Sequence, residues 1–307
     1  KGKRSNTWRL TSAFLEGIAA KKENGGAQTA EIETLNIGSL NIKPCLGCFS
    51  CWNKTPGECC IHDDMQGVID KILWADVVVW SFPLYYFGLP GQLKTLIDRQ
   101  LPMSLPFMSS KQNGYGSGSH DSRYDMEGKR HVLISTCGFY TAQGNYDCVT
   151  SLYDRLCGKG GYTAIFCGQG ELFGVKELSE RTDEYLSWVK KAGQEFASGS
   201  IPGETRGKLD RSLFPRDVFE AMADASWGVG ESGEKEDPSL VFTRQMAALY
   251  RKESWQEHDV VLDMNYTDIG KVYRITLGQR GSRVEVEPED GFADGFTTRI
   301  NTPFDVW

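Results

Sequence analysis

The sequence predicts a doubly wound α/β domain followed by a smaller α+β domain. Short continuous apolar runs, ADVVVWSF (75–82), HVLIST (131–136) and YTAIFCG (162–168), suit strands covered on both faces, as in a parallel sheet. Segments with helical spacing alternate with them, at Gln92 to Arg99, Tyr146 to Leu156 and Leu178 to Phe196. After about Gly203 this alternation gives way to a Gly-rich polar linker and a series of strand-like runs.

Taken in order, Leu10, Phe14 and Ile18 form the i, i+4, i+8 face of a helix entered through Ser5-Asn6-Thr7, three good N-caps. Ile32 to Ile37 reads as a strand. Met65, Val68, Ile69 and Ile72 form another helical stripe, with Asp63 and Asp64 as cap and first-turn acids. A Ser/Gly/Pro-rich insertion from Leu101 to Arg130 exceeds an ordinary connector and suits a lid, a partner contact or disorder. The first domain is placed at 1–205 and a helix with linker at 206–235. A second domain at 236–307 carries one helix, Leu240 to Tyr250, and the strands HDVVLDMNY, KVYRITLG, SRVEVEPE and FTTRINTP.

Composition narrows the functional classes. The chain has 307 residues, enough for two domains, and a net charge of −7, which argues against a nucleic-acid partner or an anionic membrane surface. No apolar run approaches the roughly 18 residues of a spanning helix. The nine cysteines are odd in number, and five of them crowd between Cys45 and Cys60, so a reducing cytoplasm fits better than a secreted disulfide framework. The opening residues read as a loop and the last as a broken-off element, suggesting missing residues at both ends.

Strand-end loops are where a doubly wound sheet binds ligands. KGKRSNT, directly before a helix, offers hydroxyls, helix N–H groups and the adjacent Lys3 and Arg4 for a phosphate; its plain alternative is an N-cap with solvated basic residues. PLYYFGLPG follows the strand that ends at Phe82 and forms an apolar shelf suited to a flat heterocycle or to subunit packing. STCGFY places a glycine and aromatics at the same sheet edge. A flat ring carrying a phosphate would use all three.

KGKRSNTWRL, SFPLYYFGLPGQLKTLIDR and STCGFY, in that order and spacing, resemble the flavodoxin-like family of NAD(P)H-dependent FMN reductases over residues 1 to 205. The resemblance implies a five-stranded parallel sheet of flavodoxin type, with the family's first strand and its Gly-Ser-Pro ahead of Lys1. It also implies bound FMN, with Ser5, Asn6 and Thr7 on the phosphate. Pro83, Leu84, Tyr85, Tyr86, Phe87 and Gly88 would frame the isoalloxazine, with Thr136, Cys137, Gly138 and Phe139 from the other loop. NAD(P)H would reduce the flavin, and a small-molecule or protein acceptor would take the electrons. No side chain is singled out as catalytic; Tyr85 and Tyr86 would shape the acceptor site. A homo-oligomer is expected, since flavin sites of this family often lie near subunit contacts.

Cys45, Cys48, Cys51 and Cys59 form a C-x2-C-x2-C-x7-C run, four soft ligands suited to an iron–sulfur cluster or zinc. The same run also reads as a buried, redox-sensitive loop. Its spacing resembles the compact motif of iron–sulfur flavoproteins, which implies an electron carrier of cluster and FMN. The four histidines are scattered and read as structural. The tail from about 235 to 307 weakly resembles sterol-carrier-protein-like domains, whose strands wall an apolar tunnel. A lipid- or ligand-binding protein on a flavodoxin-like scaffold is thus a third reading, and a plain accessory or dimerisation domain a fourth.

Overall fold

The computed structural model describes residues 5–20, 30–109, 118–229 and 233–306, so the expected contributions of Lys3 and Arg4 lie outside the described residues. The chain divides into two compact units, Lys1–Leu213 and Phe214–Trp307.

In the first unit, β1 (Val77–Pro83), β4 (Arg130–Thr136) and β5 (Tyr162–Cys167) form a parallel sheet in the order β1-β4-β5. The register aligns Pro83 with Thr136 and Thr136 with Cys167, so all three strands end at one level. This supports the expected doubly wound α/β class. The crossovers run through α4 (Gly91–Asp98) and α5 (Asp147–Cys157), and α3 (Met65–Trp74) leads into β1. Met65, Val68, Ile69 and Ile72 of α3 are buried in one core with Trp80, Phe82, Leu93, Leu96, Leu133, Val149 and Tyr153.

Two helices pack at unusually close range. α1 (Asn6–Ala19) buries Leu10 and Phe14, and α6 (Ser179–Ala197) buries Tyr185, Val189, Ala192 and Phe196 along one stripe. A Cβ on Gly17 would lie 2.0 Å from the Lys190 carbonyl oxygen, and one on Gly193 would lie 2.1 Å from that of Phe14. Only hydrogen fits at these two positions, and the backbones come together through them. The Phe14 and Phe196 rings then meet at 5.5 Å.

Three expectations need correction. Ile32 to Ile37 joins no ladder; it runs without regular structure into a 3-10 turn at Ile37–Ser39, because no neighbouring strand reaches it among the described residues. Among the described residues the sheet of this unit has three strands, where a five-stranded sheet was expected with its first strand ahead of Lys1. β1 is therefore not covered like a central strand: among the described residues it pairs only with β4. Its free edge opens on a cavity of about 680 Å³ lined by Trp8, Leu15, Ile32, Leu35, Ile72 and Val78. The insertion carries a short antiparallel hairpin, β2 (Ser104–Met108) and β3 (His120–Ser122), with Phe107 and Met108 exposed. The remaining helices of the unit are α2 (Ser50–Asn53) and α7 (Gly203–Leu209). α7 lies against α6, where the Tyr185 hydroxyl donates to the Leu209 carbonyl at 3.0 Å.

The second unit comprises α8 (Arg216–Ser226), α9 (Pro238–Ala248) and a sheet of β6 (Val260–Tyr266), β7 (Lys271–Gly278), β8 (Gly281–Val286) and β9 (Thr298–Thr302), ordered β8-β7-β6-β9. Rings fill the space between α9 and the sheet: Tyr266 packs on Tyr273 at 5.9 Å and on Phe304 at 5.2 Å. Hydroxyls there satisfy one another, Ser239 with Tyr273 at 2.8 Å and Thr243 with Tyr266 at 3.0 Å. Asp263 is enclosed by Arg274 and Arg299.

Gly193→Ala would force a methyl into the α1–α6 crossing. The expected outcome is destabilisation of about 2 kcal/mol, within the usual cost of overpacking, read as a lowered urea midpoint with unchanged slope.

Candidate functional site

The first-turn residues of α1 and the turns after β1, β4 and β5 converge on Thr136. Its Oγ1 shares a hydrogen bond of 2.5 Å with Thr7 Oγ1, and both residues are buried. Its carbonyl accepts the Leu84 N–H at 2.9 Å, which fixes the start of the turn after β1. A Cβ on Gly170 would lie 2.7 Å from the Thr136 Cβ, so the turn after β5 also closes against this residue. Sequence segments separated by more than a hundred residues thus share one rim of the sheet.

The turn after β1 is a tight loop closed by reciprocal bonds between Tyr85 and Gly88, at 3.1 and 2.9 Å. Tyr86 and Phe87 both adopt left-handed backbone, with φ of 47° and 60°. Each such non-glycine residue costs on the order of 1 kcal/mol or more, and strain of this kind concentrates at functional sites. The turn holds Tyr85, Tyr86 and Phe87 out toward solvent. Phe87 stacks on Phe139 from the turn after β4, with ring centroids 5.3 Å apart and planes 11° apart.

The expected site residues divide by role. Ser5 precedes α1 with its side chain making no capping bond, so the first-turn amides of this 14-residue helix are not capped by it. Asn6 Nδ2 lies 3.4 Å from the Glu171 carbonyl. Thr7 and Thr136 are bonded to each other and buried, so they brace the rim. Pro83 ends β1 and Leu84 is buried beside it. Tyr85, Tyr86, Phe87, Gly88, Gly138 and Phe139 are the accessible surface. Cys137 was expected to reach a ligand through its backbone; instead its N–H donates to the Cys167 carbonyl at 3.0 Å and its carbonyl accepts from Gly170 at 2.8 Å. Burial pushes its thiol pKa up. The donor set and the paired rings suit a phosphate beside a flat heterocycle.

The turn after β5 was missed. Gln169 is buried in left-handed backbone and its N–H donates to the Phe139 carbonyl at 2.7 Å. Glu171 brings a carboxylate oxygen to 3.4 Å from where a Cβ on Gly138 would lie, and burial raises its pKa. The available signal was position alone, since GQGEL follows a third strand ending at the same edge.

A second candidate site lies in the same unit. Cys45, Cys48, Cys51 and Cys59 line one cavity together with Cys60 and Arg99. Phe49 between them takes left-handed backbone, with φ of 53°, and caps α2, which buries Cys51. The Cys48 and Cys60 sulfurs are 3.5 Å apart, well beyond a disulfide. Hydrogen bonds from the Ser50 side chain and backbone lower the Cys48 pKa to about 7, whereas burial raises that of Cys51. Among the described residues no three Cys, His, Asp or Glu side chains are gathered tightly enough for a single metal ion. The soft-ligand spacing that the sequence offers is thus not gathered into a metal-binding arrangement among the described residues.

Arg99 and Asp63 form the floor of this region, with side chains 1% and 0% exposed. Arg99 Nη1 donates to Asp63 Oδ2 at 2.8 Å and to the Lys43 carbonyl at 2.7 Å, and Nη2 donates to Asp63 Oδ1 at 3.0 Å. Backbone N–H groups of Lys43 and Met65 also bond Asp63, at 2.9 and 3.1 Å. The guanidinium bond, above all, holds the Asp63 pKa down to about 2 against the opposing effect of burial. Burial also opposes the Arg99 charge, but Asp63 and the neighbouring Cys59 sulfur more than offset it, so the Arg99 pKa is raised.

With this geometry in place, comparison with known proteins shows what part of the first unit is similar to. Residues 1–138 match the NADPH-dependent FMN reductase family. This segment is FMN-reductase-like. An iron-sulfur flavoprotein of Archaeoglobus fulgidus is 36% identical over 104 residues, covering 34% of this chain and 45% of that protein. The chain thus spans about half the length of such a curated relative. An FMN-dependent NADH:quinone oxidoreductase of Alcanivorax borkumensis is 25% identical over 165 residues, 53% of this chain and 79% of that protein. A solved FMN-dependent NADH-azoreductase from Bacillus anthracis, in complex with FMN, aligns with a TM-score of 0.42 and 19% identity, covering 63% of this chain and 92% of that one. Among the described residues no helix is long and apolar enough to cross a membrane.

Two outcomes follow from the geometry of the first unit. Thr136→Val removes one partner of a buried hydroxyl pair and leaves Thr7 unsatisfied; a loss of about 1 to 3 kcal/mol in urea unfolding is expected. Asp63 has its folded pKa below the unfolded value of roughly 4, so its contribution is complete above that value and is lost as pH falls toward 2. Stability measured from pH 5 down to pH 2 should fall less steeply in Asp63→Asn than in the parent.

Proposed function

We propose that the first unit binds FMN across the Thr136 rim and acts as an NAD(P)H-dependent oxidoreductase that delivers electrons to a small-molecule or protein acceptor. The observation carrying this reading is the convergence of the first turn of α1, the Tyr85–Gly88 turn and the Gly138–Phe139 turn on one edge. The FMN-reductase-like segment and the quinone oxidoreductase relative support it. When bound, FMN would supply a ring that accepts hydride from a nicotinamide and releases electrons to the acceptor.

The chain's part in this chemistry is binding and orientation. Ser5, Asn6 and the first-turn amides of α1 would receive the phosphate, with the positive end of the helix dipole behind them. Thr7 and Thr136 fix that helix start against β4, so the phosphate donors and the ring shelf stay in register. Phe87 and Phe139 would exclude water along one side of the ring, while Tyr85, Tyr86 and Gly88 shape the approach of the acceptor. No proton-transfer residue is required of the protein. Exposed aromatics beside the site favour a homo-oligomer, and nine unbridged cysteines favour the reducing cytoplasm.

The five-cysteine cavity favours a second reading, an iron–sulfur flavoprotein. Cys45, Cys48, Cys51 and Cys59 would hold the cluster, which would supply one-electron transfer. The relative from Archaeoglobus fulgidus is named for that combination.

The test is an anaerobic absorption spectrum of the full chain loaded with FMN, with iron and acid-labile sulfide analysis after reconstitution. Flavin bands that stay with the protein on gel filtration and bleach with NADPH are expected. A chain that retains no flavin and leaves NADPH unoxidised would overturn the first reading. A chain that takes up no iron would overturn the second.

A further inference from the structure

Two thiols meet at the surface of the cysteine loop. Cys48 and Cys60 stand twelve positions apart in sequence, yet their sulfurs lie 3.5 Å apart and both residues are exposed. The chain beside each of them is held. Directly after Cys48, Phe49 turns the backbone into α2, and its carbonyl accepts the Trp52 N–H at 2.9 Å. Trp52 Nε1 then donates to the Leu101 carbonyl at 3.2 Å, which anchors α2 to the residues after α4. Directly after Cys60, the Ile61 carbonyl accepts from Arg99 Nη2 at 3.4 Å. Within the loop, the Gly57 N–H donates to the Cys51 carbonyl and Thr55 Oγ1 to the Glu58 carbonyl, each at 2.9 Å. The other thiols of the loop are placed differently. Cys51 is buried, the Cys59 sulfur lies beside the Arg99 guanidinium, and the Cys45 sulfur accepts the Gly47 N–H at 3.5 Å.

We propose that Cys48 and Cys60 form a reversible disulfide by exchange with a low-molecular-weight disulfide, a modification site that does not depend on the flavin reading. The thiolate of one cysteine attacks a sulfur of the small disulfide, expels one small thiolate and leaves a mixed disulfide on the protein. The second cysteine, as thiolate, attacks the protein-side sulfur, forms the Cys48–Cys60 bond and expels the other small thiolate. In sum one S–S bond breaks and one forms; two protein thiols are oxidised, one small disulfide is reduced to two thiols, and two protons pass from the protein to them. Because the two sulfurs are already neighbours on anchored backbone, the second attack is intramolecular and proceeds at high effective concentration. A disulfide spans about 2 Å between sulfurs, so closure needs a shift of about 1.5 Å, which rotation about a Cα–Cβ bond supplies. The bond closes a ring that contains α2, Cys51 and Cys59. It also takes Cys48 out of the C-x2-C-x2-C-x7-C run, so this bond and the iron–sulfur reading exclude each other in one molecule. Excess free thiol reverses the exchange through the same intermediate.

The test uses the full chain, reduced and kept free of metal by a chelator. It is equilibrated with mixtures of glutathione and glutathione disulfide, quenched with acid, alkylated and digested, and its linkages are read by mass spectrometry. Trypsin cuts after Lys54, between the two cysteines, so the bond joins two peptides and fragmentation assigns the sulfurs. The expected result is a Cys48–Cys60 linkage at least tenfold more abundant than any other pairing among the five cysteines from Cys45 to Cys60. Cys48→Ser and Cys60→Ser should each lower the disulfide-linked fraction at least tenfold and leave the remaining partner as a free thiol or a glutathione adduct. Cys45→Ser should retain the parent's linkage. A parent that carries glutathione adducts but no Cys48–Cys60 bond overturns the proposal. So does a predominant linkage through Cys45, Cys51 or Cys59, or a parent-like linked fraction in Cys60→Ser.

Discussion

The Thr7–Thr136 hydroxyl pair is the contact on which the rest of the first unit's rim depends. It bonds the start of α1 to the end of the middle strand, and the same residue's carbonyl receives Leu84 from the neighbouring turn. Gly170 closes against its side chain from a third direction. Two threonines buried without partners would weaken the fold; bonded to each other, they fix one helix and two strand ends at a common level. What remains for solvent and ligand is the outer layer: first-turn amides on one side and a strained aromatic turn on the other.

That division between brace and contact surface accounts for the chemistry expected at the site. Groups that anchor the rim are buried and mutually satisfied, whereas Tyr85, Tyr86, Phe87 and Phe139 stand out from it. The left-handed backbone at Tyr86 and Phe87 is tolerated because the paired Tyr85–Gly88 bonds hold the turn closed. The cysteine loop follows a parallel logic at a different place. There the anchor is the Asp63–Arg99 pair, which ties the loop residues Lys43 and Ile61 to the end of α4 and leaves the thiols around a cavity.

Much of this was legible in the order of residues, for physical reasons. Apolar runs of six to eight residues between amphipathic stripes specify β-α alternation, since period and length are local properties of the chain. The three observed strands fall at the expected runs, and α1, α3 and α6 lie on the expected stripes. Cysteine spacing is likewise a local fact, and it brings the five cysteines from Cys45 to Cys60 to the lining of one small cavity. Ile32 to Ile37 failed for the opposite reason: its side-chain pattern suits a strand, but a strand exists only where a partner offers a ladder.

By itself, then, the sequence determined the fold class, the places where chain ends and turns could bind, and the soft-ligand run, because each depends on neighbours within about ten residues. Tertiary structure alone decided which of those residues are buried and which stay accessible. It turned Thr7 and Thr136 inward as mutual partners, tied the Cys137 backbone to Cys167 and Gly170, brought the unexpected Gln169–Glu171 turn to the rim, and set Arg99 beneath the cysteines. Those outcomes depend on which polar groups find partners once segments far apart in the chain are packed together. No local pattern encodes that pairing.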